Sequence, residues 1–345
     1  MTFRLPPEWH PQDAIMLTWP HSDTDWAPYL TEVEPVYIDI ARQVLQRQSL
    51  VVICHNEAIQ TKVKTLLLEA GLNTDKLHTY VIACNDTWAR DHGPITIINE
   101  QQQTQVLDFT FNGWGGKYDS DLDNTINRSL LQDSSIKADY QAVDLVLEGG
   151  GIEVDAEGHL LTTEQCLLNP NRNPELDRQQ IESLLNQRLG TQKVLWLKHG
   201  YLAGDDTDSH IDTLARLAPN NTIAYVQCTE ESDEHFDELH KMEQELKALR
   251  TKDGEAFSLV PLPMAEPCFD AEGERLPATY ANFLIINGAV LLPTYRQPET
   301  DTQALTQIQK AFPQHQIIAI DCLPLIQQFG SLHCISMQLP EGFLA

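Results

Sequence analysis

A cysteine near the end of the chain has a sequence context that suits a nucleophile. Cys334 follows a Gly-Ser pair and His333 in GSLHCIS at 330–336. A cysteine exposed at such a turn is reactive when positive charge nearby lowers its thiol pKa from an ordinary value of about 8.5. The alternative is a small buried hydrophobe in the strand pattern LHCISMQL, and for a cysteine taken alone this is the commoner situation.

A histidine flanked by acidic residues is the second candidate. Asp208, His210 and Asp212 alternate in GDDTDSHID at 204–212. In an extended chain alternate side chains lie on one face, so the spacing predicts a protonated imidazole between two carboxylates. Two alternatives stay open, a surface histidine in an acidic loop and a metal ligand in a His-x-Asp pair, which would need further ligands.

Glu148 stands between the apolar run AVDLVL and three glycines. Glycines let a backbone approach a ligand or another strand closely, so the carboxylate is expected beneath the floor of a site. The alternatives are a tight bulge with an exposed Glu148 and a phosphate-binding loop. The second is weak, because IEVD after the glycines is typical of a strand and not of a helix.

Two tryptophan-containing segments suit recognition of a flat cation. Asp91 follows Trp88 by three residues in WARD, and Trp114 lies between glycines in NGWGG. An aromatic plane and a carboxylate together bind a planar cation well. Each tryptophan can equally be a partly buried anchor of its loop.

Charge and cysteine usage limit the classes of partner. The 345 residues include 50 acidic and 23 basic side chains, a net charge of −27. Such a field repels nucleic acid and anionic membranes and attracts small cations, although it can also serve solubility alone. Seven scattered cysteines without a C-x-x-C pair predict free thiols in a reducing compartment, the cytoplasm. We also expect neither a membrane span nor a cleaved signal.

Short β-rich runs alternate with helical patterns along the whole chain. Strands are predicted within 49–56, 80–86, 104–112, 193–200, 222–228 and 316–322. Helices are predicted at 32–48, 57–71, 176–189, 233–251 and 301–313. Hairpins are expected to turn at 156–158 and at Asn287-Gly288, with positive φ angles at the Asn-Gly pair. No linker divides the chain, which favours a single α/β domain over residues 1–345.

Six segments, taken together and in this order, resemble the agmatine deiminase family, which also includes bacterial-type peptidylarginine deiminases. They are WARDHGP, FNGWGGKY, LEGGGIEVD, SHID, TYANFLIINGAVLLPTY at 279–295 and GSLHCIS. The resemblance covers nearly the whole chain. It implies the pentein fold, a five-bladed α/β propeller with a central active-site channel, and neither a metal nor an organic cofactor.

The resemblance also implies roles for residues. Five catalytic positions carry over: Cys334, His210, Glu148, Asp91 and Asp212. Asp91 and Asp212 would grip a guanidinium, Cys334 would attack its carbon, and His210, held charged by Glu148, would transfer protons. Asn282 matches a functional asparagine that relatives acting on peptidyl arginine also carry.

Agmatine is the predicted substrate, giving N-carbamoylputrescine and ammonia. We expect Asp206 and Asp208 to bind its distal ammonium, and Trp88 and Trp114 to line its aliphatic chain. Rival hypotheses are another guanidino enzyme, acting on peptidyl arginine or transferring an amidino group, a metal-dependent hydrolase built on His210 and Asp212, and a non-catalytic polyamine-binding protein. The resemblance further suggests a homo-oligomer.

Overall fold

The computed structural model of the protein describes residues 2–345. Its strands, β1 to β16 in chain order, are Gln12–Thr18, Ser49–Cys54, Leu77–Val81, Ile95–Ile98, Thr104–Thr110, Asp139–Val146, Glu153–Val154, His159–Thr163, Lys193–Leu197, Ala215–Ala218, Thr222–Gln227, Ser258–Pro263, Leu284–Ile286, Ala289–Thr294, Gln316–Asp321 and Ser336–Pro340.

The α-helices, α1 to α9, are Leu30–Leu45, Glu57–Glu69, Ala89–His92, Gly113–Gly116, Ile126–Leu130, Glu164–Leu167, Arg178–Leu189, Phe236–Ala248 and Pro298–Ala311. Short 3₁₀ segments lie at Ala27–Tyr29, Asp123–Thr125, Gly149–Gly151, Ile211–Thr213 and Ile326–Gln328. None of the helices within residues 2–345 combines the length and apolar character that crossing a membrane requires.

One strand pattern recurs five times. In β4-β5-β6, β7-β8-β9, β10-β11-β12 and β13-β14-β15 an antiparallel pair is followed by a parallel strand. The parallel partner is reached through a crossover, as parallel pairing requires. In the remaining sheet β16 pairs antiparallel with β1, while β2 and β3 follow in parallel. The last strand therefore closes the ring of blades, and the predicted five-bladed α/β architecture is confirmed.

The crossover helices bury one apolar face against the sheets. In α1 the buried residues recur at helical spacing: Val33, Val36, Tyr37, Ile40, Ala41 and Val44. In α7 an Asp177 side chain and Gln180 form a capping box that fixes the first turn, and Gly190 ends the helix in the left-handed conformation. Local sequence therefore sets where these helices begin and end.

The two predicted hairpins form β7-β8 and β13-β14. At the second, Gly288 alone has a positive φ, of 74°, so the expectation for Asn287 is wrong. The Asn287 amide instead pairs with the backbone of Gln12, donating to its carbonyl at 2.7 Å and accepting from its N–H at 3.1 Å. The turn is thereby fixed to the first sheet.

Candidate active site

Every blade contributes to one site from the same position, the segment just before its first strand. Asp91 precedes β4, Glu148 precedes β7, His210 and Asp212 precede β10, Asn282 precedes β13 and Cys334 precedes β16. Residues far apart in sequence therefore converge because the blades repeat around a common centre.

Cys334 lines a cavity of about 100 Å³ and is itself buried, with 6% of its surface exposed. Its Sγ lies 3.2 Å from Asn282 Nδ2 and 3.9 Å from Asp212 Oδ2. Burial, followed by the negative charge of Asp212 and Asp91, raises the pKa of the Cys334 thiol well above its ordinary value. The condition for a lowered thiol pKa, positive charge beside the sulfur, is therefore not met in the protein without substrate, because carboxylates surround the sulfur.

Asp212 is fully buried beside the sulfur. Its Oδ2 accepts hydrogen bonds from His333 Nδ1 at 2.7 Å and from Asn282 Nδ2 at 3.2 Å. Burial opposes ionisation, but the bond from His333 and nearby positive charge hold the pKa of Asp212 below its usual range. Its Oδ1 has no hydrogen-bond partner among residues 2–345. A buried carboxylate oxygen in this state is ready to accept a donor from a ligand.

Asp91 is held by two donors in the same centre. Its Oδ1 accepts from the backbone N–H of Gly150 at 3.0 Å, and its Oδ2 accepts from Trp114 Nε1 at 3.0 Å. Burial raises the pKa of Asp91 to about 6, although His210 opposes this. The group is thus a carboxylate only above weakly acidic pH.

Gly150 lies where three of the candidate catalytic side chains come together. A Cβ on this residue would lie 2.6 Å from His210 Nδ1, 2.8 Å from Asp91 Oδ1 and 3.3 Å from Asp212 Oδ2. Glycine is required here because a side chain would collide with these groups. This agrees with the close backbone approach that the sequence predicted for the segment.

His210 lies at a kink, not in an extended chain. Asp208 and Ser209 have φ angles of 66° and 61°, and a 3₁₀ turn begins at Ile211. The predicted alternation is therefore wrong, and Asp208 does not face the imidazole. Burial lowers the pKa of His210, but Asp91, with Oδ1 3.6 Å from Nδ1, and Cys166 outweigh it and raise the pKa well above the ordinary value.

Glu148 lies beneath the site, fully buried, so the alternative of an exposed glutamate is wrong. Its two oxygens accept from Arg172 Nε at 2.9 and 3.0 Å. Glu148 also raises the pKa of His210, but less than Asp91 does. The predicted partnership with His210 is thus secondary to an ion pair that the sequence did not indicate.

The cavity opens between aromatic side chains and carboxylates. Trp88 and Trp114 line it, together with five aspartates and, among the described residues, no lysine or arginine. The aspartates are Asp25, Asp86, Asp91, Asp205 and Asp206. This lining is suited to a ligand that combines positive charge with an apolar surface.

A profile of the Porphyromonas-type peptidyl-arginine deiminase family matches residues 4–340. The chain belongs to this family. It is 30% identical to the agmatine deiminase of Ectopseudomonas mendocina over 361 aligned positions, which cover 98% of this chain and 95% of the relative.

Solved structures of the deiminase family superpose closely on this chain. A protein of Porphyromonas gingivalis that is provisionally named an arginine deiminase has 48% identity and a TM-score of 0.92, with 100% of both chains covered. A C. jejuni agmatine deiminase variant with substrate bound has 38% identity and a TM-score of 0.90, covering 99% of this chain and 97% of the other.

The two residues predicted to bind the far end of the substrate, Asp206 and Asp208, have different surroundings. Asp206 lines the cavity, where it accepts from Tyr118 Oη at 2.6 Å and lies 3.2 Å from Lys117 Nζ. Asp208 is instead paired with Arg172 Nη1 at 2.6 Å and with Lys117 Nζ at 3.2 Å. Asp208 does not line the cavity, and its contact with the distal ammonium stays a prediction.

Asn282 contacts the segment that carries Cys334. Its Oδ1 accepts from the backbone N–H groups of His333 and Cys334, at 2.9 and 3.3 Å. The amide thus orients the nucleophile and does not line the cavity. The metal-site alternative combined His210 with Asp212, whereas the side chains close enough to share an ion with His210 are Glu148 and Cys166.

The sequence analysis did not identify three charged side chains that contact the candidate catalytic groups or their neighbours: Glu8, Arg172 and Arg216. It also did not identify the contacts of His333. Glu8 and His333 are 325 positions apart, yet their side chains lie 2.8 Å apart. A local motif carries no signal for such a pair. Arg172 had one available signal, a lone arginine in the polar segment NPNRNP that follows the third blade's hairpin.

Proposed function

We propose that the protein deiminates agmatine to N-carbamoylputrescine and ammonia, with Cys334 as nucleophile. The observation that carries the proposal is one cavity of about 100 Å³ that is lined by the buried Cys334, two tryptophans and five aspartates. A guanidinium at one end and an ammonium at the other match this charge pattern. Relatives of 30 and 38% identity carry the name agmatine deiminase, which supports the same substrate.

The two inner carboxylates would hold the guanidinium. Asp212 Oδ1 is buried without a partner among residues 2–345. Asp91 Oδ1 and Asp212 Oδ2 lie 2.8 and 3.3 Å from the place where a Cβ on Gly150 would lie, so the two carboxylates are close together. Charge-assisted hydrogen bonds from the guanidinium nitrogens to these oxygens fix the carbon over the sulfur. The positive charge of the substrate also offsets Asp91 and Asp212, so that binding favours the Cys334 thiolate.

The thiolate then adds to the guanidinium carbon and forms a tetrahedral intermediate. His210, protonated beside Asp91, gives a proton to the departing nitrogen, and ammonia leaves. A thiouronium group remains on Cys334. Neutral His210 next takes a proton from water as the oxygen adds to the same carbon. Collapse of the second intermediate breaks the carbon–sulfur bond, and the ureido product leaves as its extra proton is lost to solvent.

Asp206 at the mouth would accept the distal ammonium, with Trp88 and Trp114 along the aliphatic chain. Free arginine carries a carboxylate at that end. Among the described residues no lysine or arginine lines the cavity, and the nearby Lys117 is already paired with Asp206 and Asp208. The lining therefore favours an amine tail over an acidic one.

A second candidate is deimination of peptidyl arginine or another guanidine. The family description and the 48% identity to a Porphyromonas protein provisionally named an arginine deiminase favour it. The inner carboxylates grip the guanidinium whatever is attached to it, so the mechanism would be the same. The non-catalytic hypothesis, a polyamine-binding protein, leaves the contact between Asn282 and the Cys334 sulfur unexplained.

One experiment separates these candidates. Release of ammonia and of the ureido product is measured for wild type, Cys334→Ala and the control Cys228→Ala, with agmatine, free arginine and a peptidyl-arginine substrate. We expect turnover of agmatine that only Cys334→Ala abolishes. Turnover of another guanidine alone would replace agmatine as the assigned substrate. Agmatine binding without turnover in wild type would favour the hypothesis of a non-catalytic polyamine-binding protein.

We further infer that residues 1–345 act as one catalytic domain, since all five blades supply the site. A homo-oligomer and a cytoplasmic location remain predictions from the sequence. Light scattering after size-exclusion chromatography measures the first, and cell fractionation measures the second.

A further inference from the structure

Both ring nitrogens of His333 face carboxylate oxygens beneath the candidate nucleophile. Nδ1 lies 2.7 Å from Asp212 Oδ2, and Nε2 lies 2.8 Å from Glu8 Oε2. Only 1% of the residue is exposed. Because His333 directly precedes Cys334 in the chain, its side chain connects the segment of the nucleophile to the N-terminal segment that carries Glu8.

The surroundings of the ring decide which nitrogen must carry a proton. Arg216 Nη2 lies 3.0 Å from Nε2 and also donates to Glu8. Arg216 is fully buried and is held by Glu153 and by two backbone carbonyls. An unprotonated Nε2 can therefore accept from Arg216. An unprotonated Nδ1 would face only the acceptor oxygen of Asp212, so Nδ1 is protonated whether the ring is neutral or charged.

We propose that His333 is a positioning residue, which donates its Nδ1–H to Asp212 Oδ2 and so holds Oδ1 toward the guanidinium of the substrate. The inference rests on the proposed function, because it assigns that oxygen a ligand. Oδ1 is buried and has no partner among residues 2–345, while Oδ2 is bonded twice. The second donor to Oδ2 is Asn282, whose amide also contacts the Cys334 sulfur. His333 thereby aligns the grip on the guanidinium with the attacking atom.

Two substitutions of similar reach test which ring nitrogen of His333 supports activity. The amide nitrogen of asparagine reaches about as far as Nδ1, and that of glutamine about as far as Nε2. His333→Asn can still donate to Asp212, whereas His333→Gln can donate only toward Glu8. We expect His333→Asn to keep kcat/KM within about tenfold of wild type, and His333→Gln to lose about 100-fold.

A merely structural role predicts a different pattern. Each variant loses one of two buried carboxylate contacts, so both would lose thermal stability and activity in parallel. Equal losses of kcat/KM in the two variants, or a larger loss in His333→Asn, would overturn the proposal.

A measurement on the wild-type protein remains decisive even where a variant does not fold. Nitrogen NMR of labelled histidines, with the His333 signal assigned by its loss in His333→Asn or by selective labelling, reports which ring nitrogen carries the proton. We expect protonated Nδ1 at a pH of about 8. An unprotonated Nδ1 would contradict the bond to Asp212. Because this spectrum needs no turnover, it separates failure of the inference from failure of the agmatine assignment.

Discussion

Arg172 and Glu148 form an ion pair at the base of the site in which neither side chain is exposed to solvent. Through its other nitrogens Arg172 also donates to Asp208 Oδ2 at 2.6 Å and to the carbonyl of Thr207 at 2.9 Å. One guanidinium therefore ties the glutamate before the third blade to the loop that leads into His210. This arrangement explains how the left-handed residues Asp208 and Ser209 are held in their conformation.

Replacement of Arg172 by methionine is expected to destabilise the protein by about 3–5 kcal/mol, because a buried charge on Glu148 loses its partner. Urea denaturation measures the change. Arg296→Met is the matched control, since its pair with Asp321 is exposed at 62% and 46% and such pairs contribute about 1 kcal/mol or less. Equal effects of the two substitutions would contradict the assigned role of Arg172.

The acid limb of the pH profile should report Asp91. Its pKa is raised to about 6 by burial, so the carboxylate that is proposed to bind the guanidinium is present above this pH and is lost as the pH falls through it. We expect kcat/KM for agmatine to decline below a pH of about 6, while Asp212, with a lowered pKa, stays ionised. Steady-state kinetics at constant ionic strength measure the profile. A flat profile to a pH of about 4.5 would be inconsistent with this assignment.

Removing a carboxylate should make the nucleophile more reactive toward an alkylating agent while turnover is lost. Asp212 raises the pKa of the Cys334 thiol, so Asp212→Asn lowers that pKa. A lower pKa increases the thiolate fraction at neutral pH, and faster alkylation by iodoacetamide is expected. Peptide mass spectrometry identifies the labelled cysteine, with Cys334→Ala as the blank. Slower labelling in Asp212→Asn would argue against electrostatic control of the thiol.

Asp206 is expected to act on the tail of the substrate alone. Asp206→Asn should raise KM for agmatine by about tenfold, through the loss of one charge-assisted hydrogen bond. The same variant should leave KM for butylguanidine, which lacks the distal amine, near the wild-type value. A comparison of the two substrates by initial rates measures this. Equal KM changes for both would indicate that Asp206 shapes the mouth and does not bind the ammonium.

Local sequence was a good guide to elements whose pattern is itself local. The helix predicted at 57–71 is observed at Glu57–Glu69, where Asn56 caps the first turn. The strand predicted at 80–86 instead runs from Leu77 to Val81. Most of its residues are partly buried, and they do not alternate between buried and exposed positions. Its bounds therefore had no clear signal in the sequence. Beyond it, Cys84 belongs to the loop that leads to Trp88.

In the site, too, features with a local sequence signal were predictable and features that depend on packing were not. Each of the five candidate catalytic residues stands in a distinctive segment: Cys334, His210, Glu148, Asp91 and Asp212. The repeat of the blades brings those segments together. Their supporting contacts depend on packing between blades, as in the 70-residue separation of Asn282 from Asp212. The direction in which the pKa of the Cys334 thiol is shifted could not be predicted for the same reason, because the carboxylates around the sulfur come from other blades.

The central claim is that agmatine becomes covalently attached to Cys334 during turnover. Wild-type enzyme mixed with agmatine and quenched in acid on the millisecond timescale is digested, and the peptide that contains Cys334 is analysed by mass spectrometry. We predict a mass increase equal to agmatine minus ammonia, confined to Cys334 and absent when agmatine is omitted. Product formation with an unmodified Cys334 at every time, together with turnover by Cys334→Ala, would contradict the mechanism.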